Sequence, residues 1–203
     1  TMQESMLGLG LATQAEVAQA RNDLNVAQST LAQTDASLDQ LAEAIGLQLG
    51  YKDRIPQIGP APDPDLAYVE NVDLAADIVK AGGENTEIRS AYKSDGTTAG
   101  TALRDMTYNE AMGKLSSRMN ELYADMKEKA VLYEASQATL KKAELTLSGA
   151  QTRYELGMLG ASEYKAQILT YTSYMVSAQL AKSNLQQSIN NYRWAVEGVL
   201  SLG

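Results

Sequence analysis

The residue types that carry out most protein chemistry are missing from this chain. Its 203 residues include no histidine and no cysteine, which excludes thiol nucleophiles, Cys or His metal ligands, imidazole acid–base catalysis and disulfides. Carboxylates remain, and these could act as an acid–base pair or bind a hard cation. They are scattered along the chain, however, and no segment has the spacing of a calcium loop. We therefore expect no enzyme activity, no cofactor and no metal site.

The charge and the apolar runs narrow the possible partners. The formal net charge is −8, from 17 basic and 25 acidic residues, and no stretch forms a basic stripe, so nucleic acid is an unfavourable partner. Apolar runs are a few residues long, well below the roughly 20 needed for a membrane-spanning helix. The first ten residues lack the basic and apolar regions of a signal peptide. Localisation must be inferred from other features.

Helix breakers divide the chain. All four prolines lie between residues 56 and 64, which predicts a linker over residues 51–65. Residues 93–100 are rich in small turn-forming types and predict a second break. Between the breaks, residues 73–81 and 84–92 suggest two short helices parted by Gly82 and Gly83. Three long proline-free segments remain, over residues 14–49, 104–156 and 161–199.

Apolar residues recur at every seventh position in these long segments, which is the period of a coiled coil. The first row is Val17, Leu24, Leu31, Leu38 and Ile45. The second is Met112, Met119, Met126, Tyr133, Leu140, Leu147 and Tyr154. The third is Tyr164, Tyr171, Ala178, Leu185, Tyr192 and Val199, with Ile168, Met175, Ile189 and Val196 beside it. Small residues next to these rows, such as Ala143 and Ala150, favour close helix approach, so we interpret the rows as packing surfaces rather than as ligand grooves.

A glycine turn occurs twice. Between the second and third long segments, Gly157 is expected to end one helix in the left-handed conformation, and Ser162 and Glu163 to lie at the start of the next. The first segment is preceded by a similar string, and aligning Gly10 with Gly157 places Glu16 on Glu163. The helices that follow end in Ile45-Gly-Leu-Gln-Leu-Gly50 and Glu197-Gly-Val-Leu-Ser-Leu-Gly203. The chain is therefore predicted to contain an internal repeat.

With these features the chain resembles the TolC-like outer membrane efflux proteins. The similarity lies in the Tyr-x-x-Gly helix end, the short apolar turn, the following Ser or Thr with an acid, and the long returning helix. Residues 153–163, continuing to Trp194 and Gly203, resemble the second repeat of the family, and residues 9–16, continuing to Gly50, resemble the first. Residues 56–92 are similar to the connector between the repeats. Together these parts cover most of the chain.

The resemblance implies an all-α protomer with a long antiparallel coiled-coil hairpin, a further long helix and short connecting helices. Three segments are expected: residues 1–50 with the first tip turn and returning helix, residues 51–100 as a Pro-rich connector, and residues 101–203 as the second-repeat hairpin. The family forms homotrimers with a twelve-helix tunnel that serves tripartite efflux or type I secretion. Its place is the cell envelope, on the periplasmic face of the outer membrane.

The resemblance also implies site residues and partners. The tip turns would contact a membrane fusion adaptor and, through it, an inner-membrane transporter; the residues concerned are Leu9, Gly10, Leu11, Glu16, Leu156, Gly157, Met158, Leu159, Ser162 and Glu163. Tyr154 and Glu16 match gate positions of the family. Leu159 stands where the family has a gate arginine, so a charged lock of that kind is not expected here.

Two departures and two alternatives accompany this interpretation. No alternating strand pattern is present, so the family's membrane contact through a β-barrel is expected to be absent from this chain. The helix that descends to the first turn is also missing, since only Thr1 to Met6 precede that turn, which favours a fragment. An adaptor-type hairpin protein or a structural coiled-coil protein of the cell envelope remains an alternative. The duplicated glycine turn favours the channel interpretation over both.

Overall fold

All regular secondary structure that the structure describes is α-helical. The computed structural model describes residues 7–10, 13–51, 59, 61–92 and 98–202, and the expected all-α class is confirmed over these ranges. The described helices are α1 (Gln14–Gln48), α2 (Leu66–Glu70), α3 (Leu74–Glu84), α4 (Thr86–Ala91), α5 (Thr98–Glu155) and α6 (Ala161–Val196). The chain divides into two compact units, Thr1–Pro60 with α1, and Ala61–Gly203 with the other five helices.

Among the described residues of the first unit there is one long helix, α1, and both of its ends are defined. At its start, Thr13 is the N-cap and forms a capping box with Glu16, which satisfies two otherwise free backbone N–H groups. After its end, Gly50 has a φ of +82° and turns the chain. The middle of the predicted apolar row, Leu24, Leu31 and Leu38, is exposed to solvent. The expected packing of this row is therefore not found within the described residues.

The second unit is built on the antiparallel pair α5 and α6. Two contacts fix their directions: Tyr154 stacks on Tyr164 beside the connecting turn, while Ser188 donates a hydrogen bond to Asp125 over 2.6 Å much further along. Helix α5 has 58 residues, which corresponds to about 87 Å at a rise of ~1.5 Å per residue. It begins at Thr98, inside residues 93–100, where a break was predicted. Residues 98–100 are helical and form the start of α5.

The main core lies where α2, α3 and α4 cover the α5–α6 pair. Its fully or largely buried members are Val69, Ala81, Ile88, Leu115, Met119, Met126, Ala130, Leu185, Ile189, Tyr192, Ala195 and Val196. Met119 and Met126 come from the second predicted row, and Leu185 and Tyr192 from the third. Nearer the connecting turn, the fully buried contacts are made by Ala150 and Ala178, which lets the helices approach closely there.

The connector differs from the prediction in its helices. Gly82 and Gly83 lie within α3 rather than between two helices. A Cβ at Gly82 would lie 2.9 Å from the Met112 sulfur of α5, so a larger residue at this position would require the flexible Met112 side chain to move. The break comes instead at Asn85, whose side chain caps α4. The short helix α2, which Asp65 caps, was not predicted. Residues 52–58, 60 and 93–97 lie outside the described residues.

Candidate functional site

Two separate candidate sites are the turns that precede α1 and α6, here called the first and second tip turns. They comprise residues 7–13 and 156–160, respectively. The two belong to different units, and each is described within its own unit. Leu11 of the first tip turn lies outside the described residues. The two predicted residues just before it, Leu9 and Gly10, are described, as are all those of the second turn.

The second tip turn closes α5 with a left-handed glycine. Gly157 has a φ of +71°, and its N–H donates to the Tyr154 carbonyl over 3.0 Å. The Met158 N–H donates to the Arg153 carbonyl over 2.7 Å. These two bonds satisfy carbonyls of the last helical turn, which is the usual role of a positive-φ residue at a helix end. The predicted role of Gly157 is confirmed.

Helix α6 starts on Gly160 rather than on a side-chain cap. Gly160 is the N-cap, and its N–H donates to the Glu163 carboxylate over 3.4 Å. Ser162 lies one residue before Glu163, in the first turn of the helix. Glu163 is in that first turn, as predicted, where its negative charge is favourably placed relative to the helix dipole.

The first tip turn has closely similar geometry. Gly10 has a φ of +72°, and its N–H donates to the Leu7 carbonyl over 3.0 Å. Three residues later Thr13 caps α1, just as Gly160 caps α6 three residues after Gly157. The Thr13 hydroxyl accepts a hydrogen bond from the Glu16 N–H over 3.2 Å. Over the described residues, the spacing from Gly10 to the N-cap and to Glu16 equals the spacing from Gly157 to Gly160 and to Glu163, in agreement with the predicted alignment.

Glu16 is held by its own helix start. Its carboxylate accepts a 2.7 Å hydrogen bond from the Thr13 N–H and a 2.9 Å bond from the Thr13 hydroxyl. The backbone bond is the larger cause of a lowered pKa for this carboxyl group, because both bonds stabilise the ionised form. The side chain predicted as a gate acid therefore caps α1, and it is ionised at neutral pH.

Tyr154, the other predicted gate residue, is part of a ring stack. Its ring lies 4.8 Å from that of Tyr164, centroid to centroid, at an interplanar angle of 10°. The stack joins the last turn of α5 to the first turn of α6, and Tyr154 remains partly exposed. Such an offset pair stabilises the two helix ends beside the turn. Sequence periodicity placed both tyrosines in apolar rows but did not predict their mutual contact.

The apolar side chains of the tips point to solvent. Leu156 and Met158 of the second turn and Leu9 of the first are among the most exposed large apolar residues of the chain. Leu159 is half-buried. Exposed apolar groups around a fixed backbone turn are typical of a contact surface rather than of a reaction centre. Among the described residues, no group of three or more acidic side chains is placed to hold a metal ion.

The repeat extends to the ends of the two helices, with one change from the predicted alignment. Gly198 has a φ of +79° and follows α6 as Gly50, at +82°, follows α1. Gly198 is thus the structural counterpart of Gly50, whereas the sequence alignment paired Gly50 with Gly203. Gly203 lies outside the described residues. The sequence alignment paired Gly50 with Gly203 because similar apolar residues precede both glycines.

Comparison of the chain with protein-family models, with curated proteins and with solved structures gives no match. None of the helices in the described ranges combines the length and apolar character needed to cross a membrane. The assignment of a function therefore depends on the geometry of the tip turns and on the helix pair.

Proposed function

We propose that this chain is the periplasmic α-helical tunnel part of a TolC-like outer membrane channel, used in tripartite efflux or type I secretion. In this role it transforms no substrate. The pair α5 and α6 would be a coiled-coil hairpin of the tunnel wall, and α1 the returning helix of a second hairpin. Three protomers would complete the tunnel at the periplasmic face of the outer membrane.

The observation that carries the proposal is the duplicated helix-entry turn. Gly10 and Gly157 have φ values of +72° and +71°. Each precedes a helix N-cap by three residues, and each of those helices has a glutamate at its third position. A structural coiled coil needs heptads but no such repeated turn. A channel built from two equivalent hairpins per protomer needs both turns at the same end of the tunnel.

The exposed apolar side chains of the turns support a partner at the tips. Two hydrogen bonds hold the backbone that carries Leu156 and Met158 in place. Little backbone entropy would therefore be lost when a partner binds these side chains. A membrane fusion adaptor would present the tip of its own helical hairpin to them. The adaptor in turn would connect the channel to an inner-membrane transporter. Tyr154 and Glu16, beside the turns, would line the gate.

The test is direct binding between this chain and the purified hairpin domains of membrane fusion adaptors from the source organism. A photoreactive residue at position 158 is expected to crosslink to one adaptor hairpin at its tip. Replacing Met158 and Leu159 by Asp is expected to weaken the measured affinity about tenfold or more, because an apolar contact would become a buried charge. Circular dichroism should show unchanged helicity.

A matched control is available on the same helix pair. Met106 is 62% exposed and Met158 is 71% exposed, and Met106 lies far along α5 from the second tip turn. Met106→Asp is expected to leave adaptor binding unchanged. Equal binding by the tip variant and by Met106→Asp would contradict the tip as the adaptor site. Absence of binding to any adaptor would favour a structural coiled-coil role.

A further inference from the structure

The segment that follows α6 lies directly on the end of α3. Helix α6 ends at Val196, and the chain continues without regular structure through Leu202. Gly198 makes the closest approach, since a Cβ there would lie 2.6 Å from the Glu84 carbonyl carbon and 2.8 Å from the Asn85 nitrogen. Its φ of +79° also favours glycine. We call residues 198–202 the latch.

Asn85 joins the latch to the connector. Its amide nitrogen donates to the Gly198 carbonyl over 3.1 Å and to the Leu200 carbonyl over 2.8 Å. Its amide oxygen accepts from the N–H groups of Glu87 and Ile88, over 3.0 and 3.1 Å, which caps α4. Asn85 is 1% exposed, and all of its usual donors and acceptors are engaged. The Asn85 side chain thus has two separable roles: its oxygen caps α4, and its nitrogen binds the latch.

Further polar contacts join the connector to the latch and to the end of α6. The Leu202 N–H donates to the Glu87 carboxylate over 3.1 Å. The Tyr192 hydroxyl donates to Asp77 over 2.9 Å. Three ion pairs add to these contacts: Lys80–Glu197, Arg193–Asp65 and Lys182–Asp63. The connector is therefore fastened to one stretch of chain by contacts that are distant in sequence.

Without these contacts the connector helices have little stability of their own. Helix α3 has 11 residues, including Gly82 and Gly83, and α4 has 6 residues. Isolated helices of this length are unstable in water because nucleation is costly. Removing the Asn85 amide donors would also leave the carbonyls of Gly198 and Leu200 without these partners at a partly buried position. The stability of α3 and α4 must therefore come from the contacts with the latch, α5 and α6.

We propose that the latch and the helices α3 and α4 form one cooperative unit that opens and closes on the α5–α6 pair. The Asn85 side chain holds this unit together. Opening would uncover apolar side chains such as Ile88 and Leu115, which the closed unit buries. The paired helices near the second tip turn would remain folded, since the connector contacts described above lie at the other end of the pair. Local opening of such a unit is a recognised mode of motion below global unfolding. The inference does not depend on the proposed channel role.

The test is amide hydrogen exchange of the full chain carrying Asn85→Asp. The aspartate keeps an oxygen that can cap α4 but lacks the amide donors. Amides of residues 74–91 and 198–202 are expected to exchange faster by a common factor of about ten or more. Amides of residues 135–180 are expected to exchange at unchanged rates. Glu87→Ala, which removes the acceptor of the Leu202 N–H at an exposed site, should act in the same direction and serves if Asn85→Asp does not fold.

Asn71→Asp is the matched control. The Asn71 amide donates only to the Ala67 carbonyl, within the connector and over 2.7 Å. This change should leave exchange in the latch unaltered. Faster exchange of the latch alone, with α3 and α4 unchanged, would overturn the proposal. So would equal acceleration in all helices, because that would indicate global destabilisation instead of one opening unit.

Discussion

Four glycines set the direction of the chain at helix ends: Gly10, Gly50, Gly157 and Gly198, each with a positive φ. Their surroundings differ. Added Cβ atoms would meet nothing within 4 Å at the first three, whereas at Gly198 the Glu84 backbone is in the way. Backbone conformation alone therefore determines the need for glycine at three positions. At Gly198, conformation and close packing act together.

Substitution of these glycines should separate the two effects. Gly157→Ala is expected to lower the free energy of unfolding by about 1–2 kcal/mol, the cost of a left-handed L-residue. Gly198→Ala should cost clearly more, because the Glu84 backbone cannot move aside like a flexible side chain. Gly149→Ala, inside α5 with open space around it, should instead stabilise by about 0.5–1 kcal/mol. Urea unfolding measures all three, and equal losses at positions 157 and 198 would contradict the packing argument.

Tyr192 is the largest fully buried side chain, and its hydroxyl has one partner, Asp77. Burial, followed by the hydrogen bond to Asp77, raises the pKa of this phenol above its ordinary value. Above the ordinary phenol pKa of about 10 only the unfolded chain ionises at this position, and that ionisation favours the unfolded state. The stabilisation by the neutral phenol is therefore complete below pH ~10 and declines as the pH rises further.

Tyr192→Phe should remove the hydrogen bond and this alkaline dependence together. Leaving the Asp77 carboxylate without its donor is expected to cost about 1–3 kcal/mol near neutral pH. Above pH ~10 the difference between variant and parent should shrink. Tyr174→Phe, at a partly exposed tyrosine of α6, is the control and should change little. A constant difference from pH 7 to pH 11 would contradict the assigned role of the Tyr192 hydroxyl.

At the scale of elements, helix starts depend on local bonds. Thr13 and Glu16 satisfy each other's backbone N–H groups at the start of α1. Gly160 offers no side chain, so α6 relies on Glu163 alone. The two tip turns therefore have the same shape but different caps. We expect the start of α1 to depend on its cap more strongly than the start of α6.

The capping box at the start of α1 should weaken at acid pH, when the Glu16 carboxylate becomes protonated. Because the pKa of Glu16 is lowered in the folded helix, its contribution is present above the ordinary carboxyl pKa and is lost as the pH falls through the lowered value. Glu16→Gln should abolish this acid dependence in the first turn of α1, as followed by the amide chemical shifts of residues 14–17. Glu43→Gln, near the other end of the helix, is the control. An acid transition that persists in Glu16→Gln would exclude Glu16 as its source.

At the scale of the whole molecule, the largest core lies beneath the connector and not near the turn. Beneath the connector the two helices bury large side chains fully, whereas toward the turn the fully buried residues are Ala150 and Ala178, with the partly exposed Tyr154–Tyr164 stack beyond them. Burial of large side chains contributes more to stability than contacts between alanines. Most of the stability of the second unit should therefore come from residues 115–130 and 185–196 together with the connector.

A pair of leucines on α6 tests this distribution. Leu185 is 0% exposed in the core, and Leu180 is 61% exposed one and a half turns earlier. Leu185→Ala is expected to cost about 2–5 kcal/mol through lost contacts and a cavity. Leu180→Ala should stay within about 0.5 kcal/mol. Similar unfolding midpoints for the two variants would contradict the conclusion that the main stabilising contacts surround Leu185.

The sequence alone determined the three long helices and the glycine turns that precede two of them. Seven-residue rows, four clustered prolines and the repeated glycine predicted an all-α chain, three long helices to within a few residues, and the left-handed turn at Gly157. These features are local, because helix periodicity and turn conformation depend on residues close in sequence. For the same reason the functional expectation, which depends on a resemblance spread over weak motifs, remains a proposal.

Only the tertiary structure decided how these pieces pack. Gly82 and Gly83 look like a break in sequence, yet both are helical, and Gly82 lies against the Met112 side chain of α5. Asn85 looks like an ordinary polar residue, yet it is buried and binds the latch more than a hundred positions away. The exposed row of α1 and the buried row of α5 have the same period. Periodicity predicts which face of a helix is apolar, but only the arrangement of the other elements decides whether that face is covered.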